Sequence, residues 1–203
     1  MENFCKKGKI EKKNGYDVCR GEDRRGSLRY DLTLLRARGV REGDELPRTF
    51  GHYHSKGFAE LFKVLKGRAM ALMQKYEDSP NAIKEAYLVQ AEAGENFIIL
   101  PDFGFTNINP DESDLLLSNW IDINVENQYD LIRKNEGFCY RAVRNGERGV
   151  RFEKNENYEK IPELVMLKPR ELPDELRDLK FLSEPGKYEN SLTIENLYER
   201  IDN

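Results

Sequence analysis

Two histidines are all that the 203 residues contain, and they stand two apart, as His52 and His54 in Thr49-Phe-Gly-His-Tyr-His54. Residues two apart on an extended strand face the same way, so both imidazoles can reach one point. Glu60 follows after five residues and Gly67 after six more, giving His-x-His-x5-Glu-x6-Gly. A turn between two strands would bring the carboxylate back beside the imidazoles and set two nitrogens and one oxygen on one side of an ion. That is a facial triad for a divalent metal such as Fe, Mn, Ni or Zn. A lone His-x-His would carry little weight; the glutamate and glycine at this spacing, inside strand-like sequence, make a binding site the better reading. With no histidine outside the triad, proton transfer falls to a carboxylate or a tyrosine, and Glu60 is the first candidate.

The elements that must position these groups read as strands. In Phe58-Ala-Glu-Leu-Phe-Lys-Val-Leu-Lys66, Glu60, Phe62 and Val64 share one face and Leu61, Lys63 and Leu65 the other, which points the acid into a barrel. Short apolar runs recur at 28–35, 69–74, 87–90, 97–100 and 115–123, separated by Gly, Pro, Asn and Asp clusters at 39–47, 78–81, 101–104 and 110–113. That rhythm predicts an all-β sandwich or barrel. A helical passage is expected over 127–134, a hairpin through Asn145-Gly146, and a short helix over 193–201. Residues 1–26 read as an irregular N-terminal lead-in, 27–160 as the barrel domain, and 161–203, with four prolines, as a wrapping C-terminal tail.

Composition narrows the function classes. Net charge is −4 with both signs mixed along the chain, so no basic stripe for nucleic acid exists. No window approaches the roughly 20 apolar residues of a membrane helix. Cys5, Cys19 and Cys139 form no Cys-x-x-Cys pair, which predicts free thiols and a cytoplasmic protein.

Gly51-His-Tyr-His-Ser-Lys, followed by Ala59-Glu-Leu-Phe-Lys-Val-Leu-Lys-Gly67 and Leu72-Met-Gln74, resembles the first motif of the cupins, and within them the cupin-type glucose-6-phosphate isomerases of archaea. Thr49-Phe-Gly51 matches that family's Thr-x-Gly. Gly94, Pro101, Gly104 and Asn109 resemble the second cupin motif. The run from Asn127 through Tyr129 to Gly137-Phe138 resembles a later segment, and Asn145-Gly-Glu147 a late hairpin. The resemblance covers about residues 28–160 and implies a cupin fold, a double-stranded β-helix or jelly-roll barrel. It implies a divalent metal on His52, His54 and Glu60, a sugar phosphate whose phosphate lies at Thr33, Thr49 and Gly51, and contact of Tyr129 with the sugar. A homodimer is expected, as for many cupins.

Two departures bear on activity. The histidine of the second motif, a fourth ligand in the family, is replaced by Phe105, or by Thr106 if the loop is aligned one residue later. The family's tyrosine two residues after the glutamate is Phe62, which removes a hydroxyl. Three functions follow: a metal-dependent isomerase of aldose and ketose sugar phosphates, with Glu60 and Tyr129 as catalytic residues; a noncatalytic cupin that binds sugar or sugar phosphate; and a cupin using iron and oxygen for another reaction.

Overall fold

A sequence rich in short alternating runs, with little to nucleate long helices, builds its regular structure here mainly from strands. In the computed structural model, residues 4–37, 44–55, 57–146 and 149–201 are described. Gly39 of the first turn cluster, Lys56 and Glu147 lie outside them. The strands are β1 (Lys9–Lys12), β2 (Tyr16–Arg25), β3 (Leu28–Leu35), β4 (His52–His54), β5 (Glu60–Lys66), β6 (Arg68–Tyr76), β7 (Ile83–Glu92) and β8 (Asn96–Ile99). They continue as β9 (Gly104–Ile108), β10 (Leu115–Asp122), β11 (Asn127–Gln128), β12 (Tyr140–Asn145), β13 (Gly149–Lys154), β14 (Val165–Pro169) and β15 (Tyr198–Arg200). Two short helices, α1 (Asp130–Lys134) and α2 (Ile194–Leu197), complete the regular structure together with a few 3-10 turns.

One sheet runs β1-β2-β3-β10-β5-β8 and the other β11-β4-β9-β6-β7-β14-β15. The chain passes back and forth between them: β3, β5, β8 and β10 lie in the first, β4, β6, β7 and β9 in the second. This is the crossing pattern of a jelly roll, so the chain is an all-β barrel of the cupin type. Between the sheets, Phe62 stacks on Phe97 at 5.1 Å and meets the edge of Phe105 at 5.5 Å. Val64, Met73 and Leu117 are buried in the same core. The outer face of the second sheet carries a further apolar layer, in which Leu72, Leu88 and Ile108 lie beneath Ile132, Phe138 and Tyr140. Gln74 is fully buried there and fully bonded: its Nε2 donates to the Tyr53 and Tyr158 hydroxyls, and its Oε1 accepts from the Cys139 N–H.

Three local expectations are corrected. Residues 9–25 are not irregular but form β1 and β2, with β1 paired to β2 and β2 to β3. Their strand period is hidden by edge charges and by a register shift between Cys19 and Asp23. The C-terminal helix is confined to α2, capped by the Thr193 hydroxyl, which accepts from Asn196 N; Tyr198–Arg200 instead pairs with β14. That switch follows from Tyr198, whose hydroxyl is bonded to both backbone groups of Ile98 on β8. Cys5 and Cys19, expected as free thiols, are joined in a disulfide, and only Cys139 among the described residues is free. Pairing of Ile10 with Cys19 brings the chain ahead of β1 alongside Cys19, a proximity that the spacing of the cysteines cannot reveal.

The hairpin β12–β13 forms as expected, with Asn145 opposite Gly149. Helix α1 starts only at Asp130, because Asn127 and Gln128 pair with β4. In the tail, β14 extends the second sheet by pairing parallel to β7, and Ser183 donates to Asp122 at the end of β10. Among the described residues no helix is long and apolar enough to cross a membrane.

Candidate metal centre

His52 and His54 are held on β4 by pairing with β9 on one side and β11 on the other, with His52 opposite Phe105 and His54 opposite Asn127. Between them, Tyr53 turns outward to Gln74 and packs its ring on Gly104, where an added Cβ would fall 2.5 Å from the ring. That outward anchor fixes both imidazoles inward. Glu60 does not return through a hairpin with β4. It opens β5 in the opposite sheet, with Ile99 of β8 as its neighbour, and meets the histidines across the barrel interior.

One ligand atom from each of His52, His54 and Glu60 lies within 4.8 Å of the others. His54 Nε2 stands 3.1 Å from Glu60 Oε2. Yet His52 Nε2, both ring nitrogens of His54 and Glu60 Oε2 are buried without a hydrogen-bond partner among the described residues. Buried polar atoms left in this state are costly, and a convergent set of them asks for a common partner. Two ligands about 2.1 Å from one ion, at right angles, would stand about 3 Å apart, so the residues fit a divalent metal. Burial, the His54 ring and the Arg20 guanidinium together hold the His52 imidazole well below its usual pKa, so it is neutral at pH 7 and its lone pair is available.

Phe105, not Thr106, faces the triad. Its ring meets His52 at 4.9 Å and His54 at 5.6 Å, edge-on, where the family has its fourth ligand. Thr106 points to the other face and donates to the Thr49 carbonyl. Phe62 stands beside Phe105, so the floor of the centre is apolar.

Tyr129 precedes α1 with its ring 5.5 Å from His52 and 5.9 Å from Phe50; its hydroxyl accepts from Asn127 Nδ2. Outside it lies a cleft of about 880 Å³, lined by Tyr129, Phe50 and Thr49 and by the cations Lys13, Arg48, Arg133 and Arg141. Of the three residues expected at a phosphate, Thr49 lines this cleft, while its hydroxyl already accepts from Asn107 N. Gly51 is buried at φ +79°, and an added Cβ would come within 2.4 Å of the Phe138 ring and 2.6 Å of the Phe105 carbonyl oxygen. Thr33 lies on β3 opposite Leu117 and Val18, facing the barrel interior.

The structure adds polar residues that motif reading missed. Phe62 faces inward, so its register partner Asn119 does too, as does Asp31 opposite Asn119. Asp31 has no exposed surface and accepts from Arg20 Nη1, Gly21 N and Arg29 Nε. Burial opposes the charge on Arg20, but its bond to Asp31 outweighs that and raises its pKa. Asp31 in the middle of the apolar run 28–35 was the available signal.

A family model described as "Glucose-6-phosphate isomerase (GPI)" matches residues 9–160. No curated protein matches the chain. Among solved structures, an oxalate oxidase is similar at 17% identity and TM-score 0.41, over 53% of this chain and 50% of its own, so the match spans half of that enzyme. The Drosophila melanogaster CENP-C cupin domain is similar at 9% identity and TM-score 0.38, over 56% of this chain and 74% of its own. An RmlC-like cupin from Shewanella frigidimarina is similar at 15% and 0.36, over 56% and 82%. With three quarters of its length covered by the family model and the His-His-Glu cluster inside a jelly roll, the chain belongs to the cupin-type glucose-6-phosphate isomerase family.

Proposed function

We propose that the protein is a metal-dependent isomerase interconverting aldose and ketose sugar phosphates of the glucose 6-phosphate and fructose 6-phosphate type. The observation that carries this reading is the convergence of unpartnered, buried His52, His54 and Glu60 atoms from two sheets on one point. A divalent ion held there would act as a Lewis acid on the substrate's carbonyl and neighbouring hydroxyl oxygens. Glu60 is the residue to take the proton from C2 and return it to C1, using the oxygen it does not spend on the ion. The hydroxyl proton at C2 ends on the former carbonyl oxygen, so no oxidant or reductant is needed. Tyr129, whose phenol accepts from Asn127 and keeps its own O–H to give, contacts the sugar. The phosphate would sit towards the outer cleft, near Thr49 and the Gly51 turn, with Thr33 deeper in the barrel; the cleft also carries Glu45, paired with Arg48, and Glu136, so Arg141 is the cation to supply opposite charge. A homodimer belongs to the same proposal. So does a cytoplasmic setting, which suits sugar phosphates; the Cys5–Cys19 bond is the observation that pulls the other way.

Elemental analysis of the purified protein tests the metal: about one equivalent of Fe, Mn, Ni or Zn, lost in His54→Ala, is the expected result. An isomerase assay with added metal tests the reaction. One observation favours a second reading, a noncatalytic sugar-phosphate binder: the Phe105 ring fills the place of the fourth ligand. Protein that stays metal-free under excess metal yet binds sugar phosphate would decide for it.

A further inference from the structure

Beside the metal centre, on the inner face of the first sheet, a buried amide donor without a partner stands near an arginine bonded to Asp31. Asn119 is 3% exposed and its Nδ2 has no partner among the described residues. It stands between Phe62, two residues along β5 from Glu60, and Asp31. Arg20 gives Nη1 to Asp31 at 2.8 Å, its Nε stands 3.7 Å from Glu11 Oε2, and its side chain keeps 30% of its surface exposed. Its bond to Asp31, which stands opposite inward-facing Asn119, holds the guanidinium at the inner face of the first sheet. Asp31 explains why Arg20 holds still. That carboxylate takes donors from Arg20, Gly21 and Arg29. Across the barrel, Asn107 lies two residues after Phe105 on the same face of β9, 2% exposed, with an unpartnered Oδ1 ready for a hydroxyl.

We propose that Arg20 and Asn119 form an oxyanion subsite next to His52, His54 and Glu60, selecting ligands that carry, or develop, negative charge on the oxygens at C1 and C2. This rests on the sugar-phosphate reading above and deepens it by naming the groups that meet the reacting end. A cation braced by Asp31 and a buried amide N–H, both fixed before the ligand arrives, stabilise an oxyanion better than mobile water does. Asp31 is a positioning residue, because it acts only through Arg20.

The test compares two probes on metal-loaded protein by calorimetry. One is 6-phosphogluconate, with a carboxylate at C1; the other is sorbitol 6-phosphate, with the same phosphate and an alcohol there. The wild type should prefer the carboxylate by roughly tenfold or more. Arg20→Gln and, as an apolar replacement that leaves no orphan donor, Asn119→Leu should each cut the preference several-fold, to the level the metal alone supplies, while metal content holds. Wild-type protein with no preference, or with no binding of either probe, overturns the subsite, as does a preference that neither substitution reduces. A preference that depends on Arg20 in a protein without isomerase activity sinks only the isomerase reading.

Discussion

Phe105 shapes the candidate metal centre from the side that no ligand covers. Its ring edge lies against both histidines, so the centre has three protein donors and an apolar wall where a fourth would stand. Phe105→His should tighten metal binding by about tenfold or more, since even outer-shell partners of a metal are worth that much; competition with a chelator measures it. Gln74 illustrates a different residue-level demand. Its amide joins Tyr53, Tyr158 and the Cys139 backbone, and Tyr53 sets the direction of the histidine strand. Gln74→Met would leave buried groups unsatisfied and should cost about 2 kcal/mol in urea unfolding. Burial pushes the Cys139 thiol up to about 12, so it should resist alkylation at pH 8 until the protein is unfolded.

At the level of elements, the triad was legible and its construction was not. Two histidines on one strand face and a glutamate in line with Phe62 and Val64 can be read from period-two alternation alone. That His54 and Glu60 belong to opposite sheets cannot, because the passage from β4 to β5 has the length of an ordinary turn and only the pairings of β4 with β9 and β5 with β10 reveal the crossing. Asn107 and Asn119 stayed hidden for a related reason: an asparagine in a strand says nothing until the register shows which side it faces. Strands β1 and β2 were lost in their charges. Gly51 was noticed as part of a motif, whereas its physical role is at the joint before β4, where positive φ and the Phe138 ring leave no room for a side chain. Gly51→Ala should therefore destabilise by about 2 kcal/mol or more and lower metal occupancy with it, as read by denaturant midpoint and elemental analysis.

Across the whole molecule, the two ends of the chain hold the barrel. The tail closes over the first sheet through Leu176, Phe181 and Leu182, and is pinned by Ser183 on Asp122, which also accepts from Ser27. Burial would raise the Asp122 pKa, but bonds from Ser27, Asn124 and Ser183 outweigh it and hold the carboxyl below 3.8. A folded value below the unfolded one contributes stability that is complete above the unfolded pKa and is lost as pH falls through the folded value. Asp122→Asn should thus flatten the loss of stability that sets in as pH falls below the unfolded aspartate value, seen in acid titrations followed by circular dichroism. At the other end, Cys5 is bonded to Cys19 and Glu22 gathers the N–H groups of Lys6, Lys7 and Gly8. Closing a loop of this length restricts the denatured chain by about 3 kcal/mol, and the residue next to the covalent knot is Arg20. Dithiothreitol would then do two things at once: widen the unfolded ensemble, and slacken the strand that carries the partner of buried Asp31.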